Sequence, residues 1–173
     1  MQIEEFKSVS STNKKAKEMS EALPWTVILA EEQESGYGRK GEAWYSPKGG
    51  LYFSVILPKG EINDLQTLTI LAAFIAAKVI KESFSVEPLI KLPNDVLLNG
   101  RKVCGILTEN VVGSEVKSSV IGIGINTNTE SFPLELKDIA TSLKIETGRE
   151  VDNMEILEKI INELKNQFKI ISQ

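Results

Sequence analysis

The sequence predicts an α+β fold, a mixed, largely antiparallel sheet with helices packed on one face. Three observations carry this. Apolar runs of strand length recur through the first two thirds of the chain. An Asn99-Gly100 pair separates two of them. Helical periodicity occupies 64–84 and the C-terminal part.

The elements follow in order. TNKKAKEMSEA (12–22) reads as a short helix that Ser11 or Thr12 could cap. WTVILA (25–30) is continuously apolar with β-branched residues, a buried strand. A glycine-rich segment spans 33–50, and GLYFSVILP (50–58) is a second strand stopped by Pro58. Asp64 to Phe84 reads as one long helix, apolar on most sides and so central. EPLIKLP (87–93) reads as a short strand. DVLLNGRKVCGILTEN (95–110) reads as a hairpin, because Asn-Gly favours a type I′ turn. SEVKSSVIGIGINTN (114–128) is a further strand, expected to pair with its predecessor across Gly113-Ser114. PLELKDIATSLKIETG (133–148) is read as a helix ending near Gly148. The last helix, 152–172, has Asp152 or Asn153 as its cap. Its apolar face carries Met154, Leu157, Ile160, Ile161, Leu164 and Phe168.

Composition narrows the chemistry. The 173 residues suit one domain, and 42% apolar with 25% charged residues suits a globular one. A net charge of −4 gives no basic excess to favour nucleic acid or an anionic membrane. The single cysteine, Cys104, excludes an internal disulfide and fits a reducing compartment, so the cytoplasm is expected. The absence of histidine removes His-based triads, Cys/His zinc sites and imidazole acid–base catalysis. MQIEEFKSVS has no apolar core of a signal peptide, and TLTILAAFIAAKVI is too short for a membrane span. Any catalysis must use Lys, Arg, carboxylates, backbone amides or a hard cation.

The glycine segment runs Gly36-Tyr37-Gly38-Arg39-Lys40-Gly41, which matches G-x-G-x-x-G. A dinucleotide fingerprint needs a helix after the glycines. Here EAWYSPKGGLYF follows and leads into a strand, and no G-K-[ST] completes a phosphate-binding P-loop. Two readings stay open. The segment is a solvated mobile loop, or it encloses an anion and a ring. In the second, the glycines allow close backbone approach, Arg39 and Lys40 supply charge, and Trp44 and Tyr45 supply flat apolar surface.

Three further pieces carry polar groups. KLPNDVLLNGRKVCGIL (91–107) holds Lys91, Asn94, Asp95, Arg101 and Lys102. Read plainly, these make a turn, a hairpin tip and solvated charges. Read functionally, Lys102 sits on a rigid hairpin where it could neutralise a phosphate, and Asp95 could join a Mg²⁺ site with nucleotide phosphates. Ser11, Thr12 and Asn13 stand at a helix start, where a cap is the plain reading. In IGIGINTN (121–128), Gly122 and Gly124 suggest close approach within a strand, and Asn126 could bond a ligand.

Together SSTN, EEQESGYGRKGEAWYSPKGGLYFS, KLPNDVLLNGRKVCGIL and IGIGINTN resemble the catalytic domain of biotin protein ligases, the biotin–[acetyl-CoA carboxylase] ligases, over nearly the whole chain. The resemblance implies a class II synthetase-like biotin/lipoyl ligase fold. It implies formation of biotinyl-5′-AMP from biotin and ATP with Mg²⁺, then transfer of biotin to a lysine of a biotin carboxyl carrier domain. It places Ser11, Thr12, Asn13, Gln33, Gly36, Tyr37, Gly38, Arg39, Lys102 and Gly105 at biotin. It places Arg39, Trp44, Asn94, Lys102 and Asn126 at the nucleotide, and Asp95 at the metal, with Lys102 and Arg39 as the catalytic cations. Two positions depart from the pattern: Tyr37 stands where many members have arginine, and Leu92 stands where tryptophan is usual. The expected organisation is one catalytic domain over 1–173, without an N-terminal DNA-binding domain or a C-terminal β-barrel-like domain. An exposed sheet edge could serve a homodimer or carrier docking. The alternatives are a lipoate or octanoate ligase or transferase, a biotin- or adenylate-binding module without efficient transfer, and a plain scaffold.

Overall fold

The computed structural model describes residues 2–19, 22–58, 64–112 and 116–171. Among these, the strands are β1 (Ile3–Val9), β2 (Val27–Gln33), β3 (Leu51–Ile56), β4 (Leu89–Lys91), β5 (Asp95–Leu98), β6 (Arg101–Val112) and β7 (Val116–Ile125). They form one sheet in the order β1-β2-β3-β7-β6-β5-β4. β1 runs parallel to β2 and every other pair is antiparallel, as a mixed sheet requires. The helices are α1 (Thr12–Glu18), α2 (Leu65–Phe84), α3 (Leu143–Thr147) and α4 (Asn153–Ile171).

Alternation along the strands sorts their side chains onto two faces. On one face, Val27, Phe53, Val55, Ile121, Ile123, Ile125, Cys104 and Ile106 join a core closed by α2 and α4. Small Ala72, Ala73, Ala76 and Ala77 let α2 lie close. α4 contributes Leu157, Ile160, Ile161, Leu164 and Phe168 from one stripe, and the Phe168 ring meets Trp25 edge-on at 5.1 Å. The two long helices therefore share a face, as expected, while short α1 takes the other. There Ala16 packs on Ile28, Ile56 and Val120.

The local rules hold where the chain turns. Asp64 accepts from the Gln66 N–H (2.9 Å) and starts α2, and Asp152 does the same for α4 through the Met154 N–H (2.9 Å). Asn99 and Gly100 have φ of 49° and 79°, the left-handed pair of a type I′ hairpin. The expected turn at Gly113-Ser114 lies outside the described residues, although β6 and β7 pair as expected.

The segment 133–148 departs from its reading as one helix. Only Leu143–Thr147 is α-helical, capped by the Ser142 hydroxyl, which accepts from the Ile145 N–H (3.1 Å). Upstream, the chain winds only into turns, closed by the Lys137 N–H to Pro133 O and the Ala140 N–H to Leu136 O, before the Lys102 N–H donates to Ile139 O and the Thr141 N–H to Lys102 O and bridge it onto β6. Leu134 and Ile139 stay exposed. No sequence signal marks β1, because its residues, IEEFKSV, are half-buried and mostly polar, with no apolar run.

Candidate active site

On the face opposite the long helices, three glycines leave the middle of the sheet without side chains. The rows Ser54–Gly122–Leu107 and Tyr52–Gly124–Gly105–Asp95 cross it strand by strand. Gly105, Gly122 and Gly124 leave a flat floor beneath a cavity of about 260 Å³. A Cβ at Gly124 would come within 2.5 Å of Trp44 Nε1, and one at Gly105 within 3.1 Å of Trp44 Cζ3. The indole thus lies directly on glycine, and its buried N–H has no hydrogen-bond partner among the described residues.

Lys102 reaches this face because of a β-bulge. Val96 pairs with Cys104 but Leu97 pairs with Lys102, so one step on β5 spans two on β6. Val103 and Cys104 both go into the core, and Lys102 emerges on the cavity side. Strict alternation would have placed Lys102 with Cys104, facing apolar residues. The Lys102 ammonium pairs with Asp95 Oδ1 at 2.7 Å and stands 5.0 Å from the centre of the Trp44 ring. The Asn94 amide donates to the same Asp95 oxygen (2.9 Å), and Arg39 reaches Asn94 Oδ1 at 3.4 Å. Two cations and one carboxylate thus gather at one end of the cavity.

The other end is a wall of uncharged hydrogen-bonding groups. α1 begins at Thr12 but lacks the expected side-chain cap. Instead Gln33 Oε1 accepts from the Thr12 N–H (2.9 Å), and Gln33 Nε2 donates to Ser46 Oγ (2.8 Å). Ser11, Thr12 and Asn13 are all buried and all line the cavity. Asn13 Nδ2 donates to Glu109 Oε2 (2.8 Å), which also accepts from the Tyr37 hydroxyl (2.8 Å). Lys17 pairs with Glu109 Oε1 at 2.8 Å. Burial pushes the Glu109 carboxyl up, but the bonds from Lys17, Asn13 and Tyr37 outweigh it and hold the pKa below the usual glutamate value. Burial, followed by the bond to Glu109, pushes the Tyr37 phenol up.

The structure therefore brings together residues that the sequence scatters over more than a hundred positions. Gly38 and Arg39 line the cavity with the groups above, and the Gly38 N–H donates to Glu42 O (2.8 Å) inside the loop. Gly36 supports the loop from outside the lining. Its O accepts from the Trp44 N–H, and a Cβ there would press on Ser46 and Gln33. Asn126 lies apart. It is buried and outside the lining, and its amide donates to Thr141 O (3.0 Å). Ser54 and Glu109 were not read from sequence. Ser54, a buried hydroxyl inside an apolar run, carried a signal, whereas Glu109 looked like any strand carboxylate. Among the described residues, no three acidic or cysteine side chains cluster to hold a metal.

A cavity with two cations at one end and uncharged hydrogen-bonding groups at the other offers charge to an anionic group and hydrogen bonds to the rest of a small ligand. The chain belongs to the biotin/lipoate A/B protein ligase family, whose model matches residues 5–126. It is 41% identical over 160 residues to the bifunctional ligase/repressor BirA of Bacillus subtilis, covering 88% of this chain and 49% of that protein. It is 35% identical to the biotin–[acetyl-CoA-carboxylase] ligase of Paracoccus denitrificans, covering 86% of this chain and 65% of that one. The chain thus spans about half to two thirds of the length of these relatives. The biotin protein ligase of Aquifex aeolicus in complex with biotin and ATP superposes with a TM-score of 0.88 at 33% identity, covering 97% of this chain and 70% of that structure.

Proposed function

We propose that this protein joins biotin to ATP, forming biotinyl-5′-AMP and pyrophosphate, and then passes the biotinyl group to a lysine of a biotin carboxyl carrier domain. The observation that carries the reading is the cavity's polarity, with Lys102 and Arg39 at one end and the Thr12–Asn13–Gln33 wall at the other, over a glycine floor.

In the first step a biotin carboxylate oxygen attacks the α-phosphorus and the bond to pyrophosphate breaks. The reactants are both anions, so the site must screen their repulsion and hold them in line. Lys102 would contact the carboxylate and the α-phosphate, exchanging Asp95 for them, and Arg39 would close over the phosphate from the glycine loop. Trp44 would give the ligand a flat apolar surface, and Asn94 would orient the nucleotide. Mg²⁺ would neutralise phosphate charge. It is held in such sites by one or two carboxylates plus phosphates, which Asp95, the carboxylate beside Lys102, fits. In the second step the carrier amine attacks the acyl carbon and AMP leaves. An activated anhydride needs positioning more than a strong base, consistent with a chain that has no histidine.

The carrier, or a second copy of this chain, would meet the protein at a strand edge, which β1 and β4 offer. No helix among the described residues is long and apolar enough to cross a membrane. A lone, buried cysteine suits the cytoplasm, where we place the protein.

Mass spectrometry of the purified chain with ATP and Mg²⁺, given biotin in one tube and lipoate in another, tests the reading. Biotinyl-AMP in the first tube alone is expected, with a mass gain on added carrier domain. Lipoyl-AMP alone would move the chain to the lipoate branch. No adenylate in either tube would withdraw the enzymatic reading.

A further inference from the structure

The glycine loop folds back on itself over the cavity. The Trp44 N–H donates to Gly36 O (2.9 Å) and the Gly38 N–H to Glu42 O (2.8 Å), so residues 36–44 form a small hairpin that lines the cavity from above. At its tip Lys40 and Gly41 have φ of 58° and 78°. Lysine takes that left-handed conformation at a cost, so the hairpin's own geometry is a weak hold.

Two side chains tie the hairpin to the sheet. Arg39 reaches Asn94 Oδ1 through a long, exposed bond of 3.4 Å. Tyr37 makes the stronger tie. Its hydroxyl donates to Glu109 Oε2 at 2.8 Å, and both residues are partly buried. Lys17 donates to the phenol oxygen (3.3 Å) and to Glu109 Oε1 (2.8 Å). An ammonium only donates and a carboxylate only accepts, so the phenol's single proton goes to Glu109. Asn94 O accepts from the Ile106 N–H, and Glu109 stands three residues further along β6. The two ties are thus about 10 Å apart by strand rise, and the hairpin crosses the cavity between them.

Position 37 is built for a phenol. The Lys14 and Lys17 ammonium groups stand 5.5 and 5.9 Å from the centre of the Tyr37 ring. Cations attract an aromatic ring there and would repel the arginine that the family pattern favours. Glu109 lies outside the cavity lining, and every bond of this tie joins one protein group to another.

We propose that Tyr37, bonded to Glu109, straps the glycine loop across the cavity independently of any ligand, and so gates the entry and exit of the substrate that Arg39 helps to hold. Tyr37 is a positioning residue for the loop. Its role as a gate for biotin rests on the reading above, whereas the strap itself does not.

Trypsin cuts after Arg39 and Lys40, and a strapped hairpin is cut only when it opens locally. Limited trypsin digestion without ligand, followed by mass spectrometry, should show Tyr37→Phe cut at these two sites about fivefold or more faster than the wild type, the worth of one charge-assisted bond. Cleavage elsewhere and the thermal midpoint should hardly move. Glu109→Ala should match Tyr37→Phe, and the double variant should be no faster than either, because one shared bond is lost. Stopped-flow fluorescence with biotin gives the second readout. In Tyr37→Phe the association and dissociation rates should rise together, with Kd changed less than about twofold, because the bond broken is the same in both states.

Unchanged cleavage at Arg39 and Lys40 in a folded Tyr37→Phe would overturn the strap. A faster dissociation alone, with weaker binding, would overturn the gate and make Tyr37 a ligand contact. Faster cleavage in Tyr37→Phe together with no biotin binding by the wild type would uphold the strap and sink the biotin reading. Should Glu109→Ala fail to fold by circular dichroism, Tyr37→Phe decides.

Discussion

The two faces of the central strands are built from alternate residues of the same sequence and serve opposite ends. Ile121, Ile123 and Ile125 of β7 are buried under α2 and α4, while Gly122 and Gly124, between them, carry no side chain at all. One face gains stability by filling space, and the other forgoes it to leave space. The contrast teaches that the cavity is a deliberate gap in an otherwise packed sheet. It also predicts that substitutions one residue apart should damage different properties.

The largest effect should come from the charged end of the open face. Lys102→Ala is expected to lower the rate of adenylate formation by about 10²–10³-fold, the worth of one donor to a developing anion. The circular dichroism spectrum should be unchanged, because Lys102 lies outside the core. Normal adenylation by this variant would remove Lys102 from the proposed chemistry.

Ile123→Ala probes the closed face. Ile123 is 2% exposed, and truncating it should cost about 2–5 kcal/mol in urea unfolding, through lost burial and a residual void. Biotin affinity of the molecules that remain folded should hardly change. A large loss of affinity with unchanged stability would reverse the assignment of the two faces.

A smaller effect should appear in acid. Glu109 has its folded pKa held below the ordinary value of 4.5, so its stabilisation is present above that pH and is lost as pH falls through the folded pKa. The stability difference between the wild type and Glu109→Gln should therefore be greatest near neutrality and shrink as the pH is lowered toward about 3. A difference that stays constant across this range would mean the carboxylate is not held in its charged form by the wall.

The same contrast explains what the sequence made legible. Caps, turns and amphipathic stripes are legible in the sequence, because their information lies in nearby residues. Asp64 opens α2, Asn99-Gly100 turns the hairpin, and the stripe from Leu157 to Phe168 lays α4 on the core. The glycine loop and the Lys102 hairpin were also visible as pieces. Their convergence is implied only by the family resemblance, because no local pattern encodes the strand order or the bulge at Val103 that turns Lys102 over. Segment 133–148 has helical periodicity, yet it winds only into turns before bonds to β6 at Lys102 hold it at 139–141. Glu109 and Ser54 gain meaning only through Asn13, which lies 96 and 41 residues from them. No window along the chain contains that triad.

The most direct test of the account is calorimetric titration of biotin into the wild type and into Gly124→Val. The glycine backbone at this position is not left-handed, so a side chain is allowed, but it would displace Trp44 and fill the floor. The account predicts saturable binding by the wild type and none by a folded Gly124→Val. Equal affinity in the two proteins would contradict it, and would place biotin somewhere other than on the open face.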